Sequence, residues 1–195
     1  MSLEVRIYSV LLVSSSARFC DTMRSLLPEN RYAPVNTASS ISSAKRLLTE
    51  RSFDFVIINS PLTDGNGLRL AMDIADEKNT IPLLLVKGEE YPEMLDRTIR
   101  NGVYTLAKPL SRGTAGVALA WMAASRERLR VTEKKELSFE EKMNEIRVVN
   151  RAKWLLISEL NMSEPEAHRY VEKQAMDRCV PRRQVAEEII RTYSS

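Results

Sequence analysis

A chain of 195 residues, 44% hydrophobic and 28% charged with few aromatics, has room for one large or two small globular domains and argues against disorder over most of its length. No apolar run approaches the roughly 18 residues of a membrane helix, and no long apolar region or small-residue cleavage site marks a signal peptide, so a cytoplasmic protein without a membrane partner is expected. A formal charge of +3 is too small to indicate nucleic acid by itself, and two isolated cysteines (Cys20 and Cys179) with a single histidine (His168) argue against a zinc site. No metal and no cofactor is expected, and both thiols read as reduced and structural.

Tyr8 to Val13 reads as a strand, with Ser14 to Ser16 as turn and helix cap. A helix from about Ala17 to Leu27 buries Phe19, Met23, Leu26 and Leu27. A short strand is expected over Tyr32 to Val35, and a helix over Ser40 to Arg51 with Ala44, Leu47 and Leu48 on one face. Phe53 to Asn59 carries the near-continuous apolar run of a central parallel strand. Thr63 to Gly67 is a turn cluster, where Asp64 serves the local backbone. A helix over Leu68 to Glu77, a strand over Ile81 to Val86, a helix over Tyr91 to Arg100 and a strand over Val103 to Ala107 follow. Lys108-Pro109 then leads into a helix from about Ser111. Five short strands alternating with helices imply a doubly wound parallel sheet, and five strands suggest the flavodoxin-like order 2-1-3-4-5. Ligands of such sheets sit beyond the carboxyl ends of the strands, which directs attention to Ser14 to Ser16, Asn59, Lys87 and Lys108.

Asn59-Ser-Pro-Leu-Thr-Asp-Gly-Asn-Gly67 after the third strand, and Lys108-Pro109 after the fifth, resemble the response-regulator receiver family over roughly residues 8 to 122. The resemblance implies a CheY-like fold and a phosphoacceptor position at Asn59. It also implies a pocket formed by Ser14, Ser15, Lys87, Thr105 and Lys108. The departures from the family are chemical. An amide is not a phosphoryl acceptor, and Ser14 and Ser15 stand where the family's acidic pair would hold Mg²⁺, a cation that favours carboxylates. Lys87 stands at the hydroxyl position after the fourth strand. The aromatic position of the fifth strand falls on Thr105, with Tyr104 beside it. A pocket keeping Lys87 and Lys108 without carboxylates is either an anion site or a locked mimic of a phosphorylated state; otherwise Lys108 pairs with a backbone carbonyl and Lys87 is solvated. Asp54, at the start of the third strand, lies away from the catalytic end.

Gly116 is the last glycine in the chain. The remainder reads as helical, punctuated by Pro165 and Pro181. Arg126 to Lys142 is dense in charge. Phe139, Met143, Ile146, Val149 or Asn150, Lys153, Leu156 and Leu160 then recur at spacings of three and four, a stripe suited to a coiled-coil dimer or, if solvated, to a connecting helix. Asn161-Met162 breaks this helix. Ser163 with Glu166 forms a capping box with Pro165 in the first turn. That helix runs to about Arg178 and buries Ala167, Val171 and Ala175. A final helix opened by Pro181 buries Val185, Ala186, Ile189 and Ile190. Met162 and Met176 are expected in the core, and His168 reads as a packed or surface residue.

Arg151-Ala-Lys153-Trp-Leu-Leu156, Met162 to Met176 and Val185 to Ile190 resemble the ANTAR family, RNA-binding transcription antitermination domains often attached to receivers. The match covers about residues 143 to 192. The family has a small residue where Trp154 stands. The resemblance implies binding to tandem stem-loops of a nascent leader RNA, preventing an overlapping terminator hairpin. Arg169 and Lys173 share one helix face, Tyr170, Gln174 and Arg178 an adjacent one, and Arg182 and Arg183 open the last helix. Cations, an aromatic and an amide suit RNA loops. Lys153 carries the strongest family match, with Arg147 and Arg151 nearby. The division expected is a receiver-like domain (1–122), a helical or coiled-coil linker (123–142) and an ANTAR domain (143–195). RNA is the expected partner, with a homodimer as the assembly and a protein regulator at the receiver-like surface. A DNA-binding regulator and a pure interaction module are the alternatives; no pattern of paired carboxylates, Ser-His-Asp set or phosphate-cradling loop points to an enzyme.

Overall fold

The computed structural model describes residues 6–77 and 79–193. Contacts divide the chain into two units that meet between Val131 and Thr132.

In the first unit, β1 (Tyr8–Val13), β2 (Tyr32–Ala38), β3 (Phe55–Asn59), β4 (Ile81–Lys87) and β5 (Tyr104–Lys108) form a parallel sheet in the order β2-β1-β3-β4-β5. Helices α1 (Ala17–Ser25), α2 (Ile41–Glu50), α3 (Leu68–Asp76) and α4 (Tyr91–Thr98) connect the strands. A 3₁₀ turn over Ile99–Asn101 follows α4, and α5 (Arg112–Leu160) leaves β5. Successive side chains of a strand point to opposite faces, so each apolar run feeds two cores. Val10, Leu12, Phe55, Ile57, Leu83 and Leu85 pack on one face with Met23 of α1 and Ala118, Leu119 and Met122 of α5. Leu11, Val13, Val56, Ile58, Leu84 and Val86 pack on the other with Ala44, Leu70, Ala71, Ile74 and Met94. This double burial is why the three central strands lack polar alternation.

The elements depart from the sequence expectation mainly at their ends. β2 runs to Ala38, three residues further than its apolar content indicates, because pairing with β1 continues through Asn36 and Thr37. β3 begins at Phe55 rather than Phe53, and β5 at Tyr104 rather than Val103. Gly67 precedes α3 with φ +72°, and a Cβ there would lie 2.6 Å from Ile58 Cγ2, so both backbone and space require glycine. Lys108-Pro109 is cis, as are Ala33-Pro34 and Ser60-Pro61.

The second unit packs the later part of α5 with α6 (Glu164–Asp177) and α7 (Arg182–Tyr193) around Ala152, Leu156, Ala167, Val171, Ala175, Val185, Ala186 and Ile189. Alanines at these contacts let the helices approach closely. With no glycine available, Asn161 and Cys179 take the left-handed conformation at the two turns, at φ 52° and 51°. The Glu166 carboxylate accepts hydrogen bonds from the Ser163 N–H (2.9 Å) and hydroxyl (2.7 Å) at the start of α6. Among the described residues, no helix is long and apolar enough to cross a membrane.

Candidate phosphoacceptor pocket and nucleic-acid interface

At the carboxyl edge of the sheet, Asn59 ends β3 between Ser14 after β1 and Lys108 at the end of β5. The Asn59 Nδ2 donates to Ser14 Oγ (3.0 Å), and Lys108 Nζ donates to Asn59 Oδ1 (2.9 Å) and to the Ser60 carbonyl. Ser14 is buried, and its Oγ also accepts from the Ser16 N–H (3.1 Å). Burial depresses the Lys108 pKa; the Glu90 charge opposes this and the Lys87 charge adds to it. Lys87, the register partner of Lys108, is exposed. Lys108 thus pairs with a backbone carbonyl and with the Asn59 amide oxygen, while Lys87 takes no part in these bonds.

Ser15 is exposed. Thr105 is not part of this circuit: its hydroxyl is buried against Thr98 Oγ1 at 2.8 Å. The donor set does not fit Mg²⁺. The groups around Asn59 are hydroxyls, an amide and a cation, and among the described residues no group of three or more His, Cys, Asp or Glu could hold a metal. Asp64 does more than serve its own turn. Its carboxylate accepts from the Ile41 N–H (2.8 Å), the Ser42 N–H (3.0 Å) and the Ser42 hydroxyl (3.0 Å), capping α2, and these bonds lower its pKa.

Asp54, which pattern reading set aside as remote, anchors the opposite edge. It accepts from Ser9 N–H (2.9 Å), Arg126 Nε (3.0 Å) and Arg130 Nη2 (2.7 Å), which ties α5 to the sheet. Arg130 also bonds Glu127 (2.9 Å) and lies over the Tyr8 ring at 5.6 Å. Burial raises the Asp54 pKa, but the Ser9 and Arg126 bonds and the Arg130 charge outweigh it and leave the pKa lowered. The spacing of 72 and 76 residues hides this cluster from local pattern reading.

In the second unit, Arg169, Tyr170 and Lys173 are exposed together on α6, with Gln174 half-buried beside them. Arg169 Nε donates to the Pro165 carbonyl (3.2 Å). Other expected contact residues have partners of their own. Lys153 Nζ meets Glu164 at 2.8 Å and is mostly covered. Arg178 makes two bonds to Glu188 (2.6 and 2.9 Å), which raise its pKa. Arg183 pairs with Glu187 (2.9 Å), and Arg182 lies near Glu172 (3.5 Å) and Glu145 (3.8 Å). Arg147 and Arg151 are exposed on α5. His168 faces Glu172 at 3.3 Å. A cleft of about 450 Å³ lies among Ile146, Val149, Lys153, His168 and Arg182. Met176, expected in the core, is 71% exposed, because it lies one residue beyond the buried spacing Ala167, Val171, Ala175.

Residues 10–118, more than half of the chain, match the response regulator receiver domain, and residues 138–190 match the ANTAR domain. The chain belongs to the response regulator receiver family. This response regulator carries a C-terminal ANTAR domain. It is a regulatory protein whose output domain is of the RNA-binding antitermination class. It is 25% identical over 187 residues to the transcriptional regulatory protein PdtaR of Mycobacterium tuberculosis, covering 95% of this chain and 91% of that protein. The receiver domain of an HD domain-containing protein from Pseudomonas fluorescens Pf-5 superposes with a TM-score of 0.56 at 23% identity, covering 69% of this chain and 97% of that one. A receiver domain protein from Clostridium thermocellum gives 0.55 at 18% identity, covering 65% and 99%. Both establish the CheY-like fold of the response regulator's first unit.

Proposed function

We propose that this response regulator is a cytoplasmic transcription antitermination factor. Its ANTAR domain binds tandem stem-loops in nascent leader RNA, an overlapping terminator hairpin then fails to form, and aspartyl phosphorylation plays no part. The division is a receiver-like domain (1–122), a linker (123–142) and the ANTAR domain (143–195). The observation that carries this reading is an ANTAR domain presenting Arg169, Tyr170 and Lys173 to solvent in a protein whose phosphoacceptor position is an amide bound at both ends. Exposed cations position phosphates, and an aromatic with an amide reads loop bases.

The protein acts as a homodimer through α5. Phe139, Met143, Ile146 and Asn150 are exposed along one stripe at spacings of three and four, and Leu160 is exposed further along the helix, while Lys153 and Leu156, expected on the same stripe, are respectively mostly covered and buried within the second unit. A polar residue such as Asn150 in an apolar seam specifies register. Two ANTAR domains held together grip two stem-loops with raised effective concentration. Control comes from something other than aspartyl phosphorylation: a partner at the receiver-like surface, a small anion, or expression level.

The test is retention of a leader RNA with two tandem stem-loops, compared with a scrambled RNA and with duplex DNA at physiological salt. Hairpin-dependent binding that Arg169→Ala and Lys173→Ala weaken is expected. Preference for the duplex would favour a DNA-binding regulator, and no preference across a panel of leaders would favour a protein-interaction module.

A further inference from the structure

Trp154 is 72% exposed on α5, a state that leaves a large apolar ring in water unless something covers it. Neighbouring residues indicate what kind of surface that would be. At 100° per residue, Asn144, Arg147, Arg151, Trp154 and Ser158 follow one another at spacings of three and four and share a stripe. All five are exposed, and the stripe carries no carboxylate between residues 144 and 158. Among the described residues, neither Arg147 nor Arg151 forms an ion pair, whereas Lys153, Arg178 and Arg183 are each held by a glutamate. Two uncommitted guanidinium groups, about one helical turn apart, therefore precede an exposed indole on the same stripe.

A second copy of the chain is a poor match for this stripe. The apolar seam of α5 is Phe139, Met143, Ile146 and Asn150, and its next member by spacing is Lys153, not Trp154. Pairing like-charged arginines across a two-fold axis would also be repulsive. An anionic partner with planar faces matches both the charge and the ring. Resting on the RNA-binding reading above, we propose that Trp154 stacks on an unpaired nucleobase of the bound RNA loop, while Arg147 and Arg151 hold the adjoining phosphates.

The experiment uses the full chain with Trp121→Phe, so that Trp154 is the remaining tryptophan. The probe is an RNA pool with two fixed tandem stems and randomised loop nucleotides. Titration with this pool is expected to quench Trp154 fluorescence. Trp154→Ala should weaken filter-retained RNA by about 5- to 150-fold, the range for loss of one stacked base, with Trp154→Phe retaining most of the binding. The dimer mass by light scattering should be the same in all three proteins. The inference is overturned if Trp154→Ala binds RNA as tightly as the parent or more tightly. It is equally overturned if the quench follows protein concentration without RNA, or if the dimer mass falls together with RNA binding. Those results leave the RNA-binding reading standing, since the parent still binds. Failure of the parent to bind any member of the pool overturns that reading and this inference with it.

Discussion

Asn59 uses both ends of its amide inside the receiver, one toward Ser14 and one toward Lys108, so the position where a receiver accepts a phosphoryl group is both chemically inert and sterically engaged. Acetyl phosphate with Mg²⁺ should therefore add no phosphoryl mass to the chain. Asn59→Asp alone should also stay unmodified, because Ser14 and Ser15 supply no carboxylate for the metal; intact-mass spectrometry reads both, and phosphorylation of either would refute the argument. Lys108→Met should cost about 1–3 kcal/mol in denaturant unfolding, because the Ser60 carbonyl and the Asn59 oxygen lose their donor. At this scale much was legible. A Lys-Pro after the fifth strand and an Asn before Ser-Pro name the pocket directly. The Asn59 to Ser14 bond was not legible, since nothing in the order of residues says which way an amide faces. Nor was the place of Thr105, whose partner Thr98 sits on a different element.

Helix α5 is held to the sheet by Asp54, through Arg126 and Arg130. Removing the carboxylate charge takes one anionic partner from each of two largely buried guanidinium groups, so Asp54→Asn should cost about 3 kcal/mol at neutral pH. The same pair predicts a pH dependence. The native pKa of Asp54 lies below its unfolded value, so its contribution is complete above the unfolded value near about 3.9 and is lost as pH falls through the native one. Unfolding midpoints of the wild type should drop in acid below about pH 4, and the drop should be shallower in Asp54→Asn. At the turn before α7, Cys179 holds a left-handed conformation that costs a non-glycine residue about 1 kcal/mol or more. Cys179→Gly should consequently raise the melting temperature of the second unit, and a fall would contradict the turn geometry. Strands and helices were legible from apolar runs, serine caps and the capping box at Ser163. The ends of β2, and the role of Asp54, depended on partners far along the chain, which periodicity does not report.

For the whole molecule, the exposed seam of α5 and the exposed cations of α6 are the features that an isolated receiver has no use for. Ile146→Glu should convert the proposed homodimer to a monomer by light scattering without loss of helicity, because Ile146 is half-exposed and outside the core. Affinity for two tandem stem-loops should fall more than affinity for one, as the tethering argument requires. The two-part organisation was legible from the change in composition after Gly116 and from the separated ANTAR motifs. Which of the many arginines stay free was not, since ion pairs such as Arg178 with Glu188 form only when α6 and α7 come together. The central claim is antitermination without phosphorylation, and the most direct measurement is transcription in vitro through a leader carrying tandem stem-loops that overlap a terminator. Added protein should raise read-through, acetyl phosphate and Mg²⁺ should leave that increase unchanged, and Arg169→Ala should diminish it. Read-through that stays at the protein-free level on every leader tested, or that appears only after treatment with acetyl phosphate, would contradict the account.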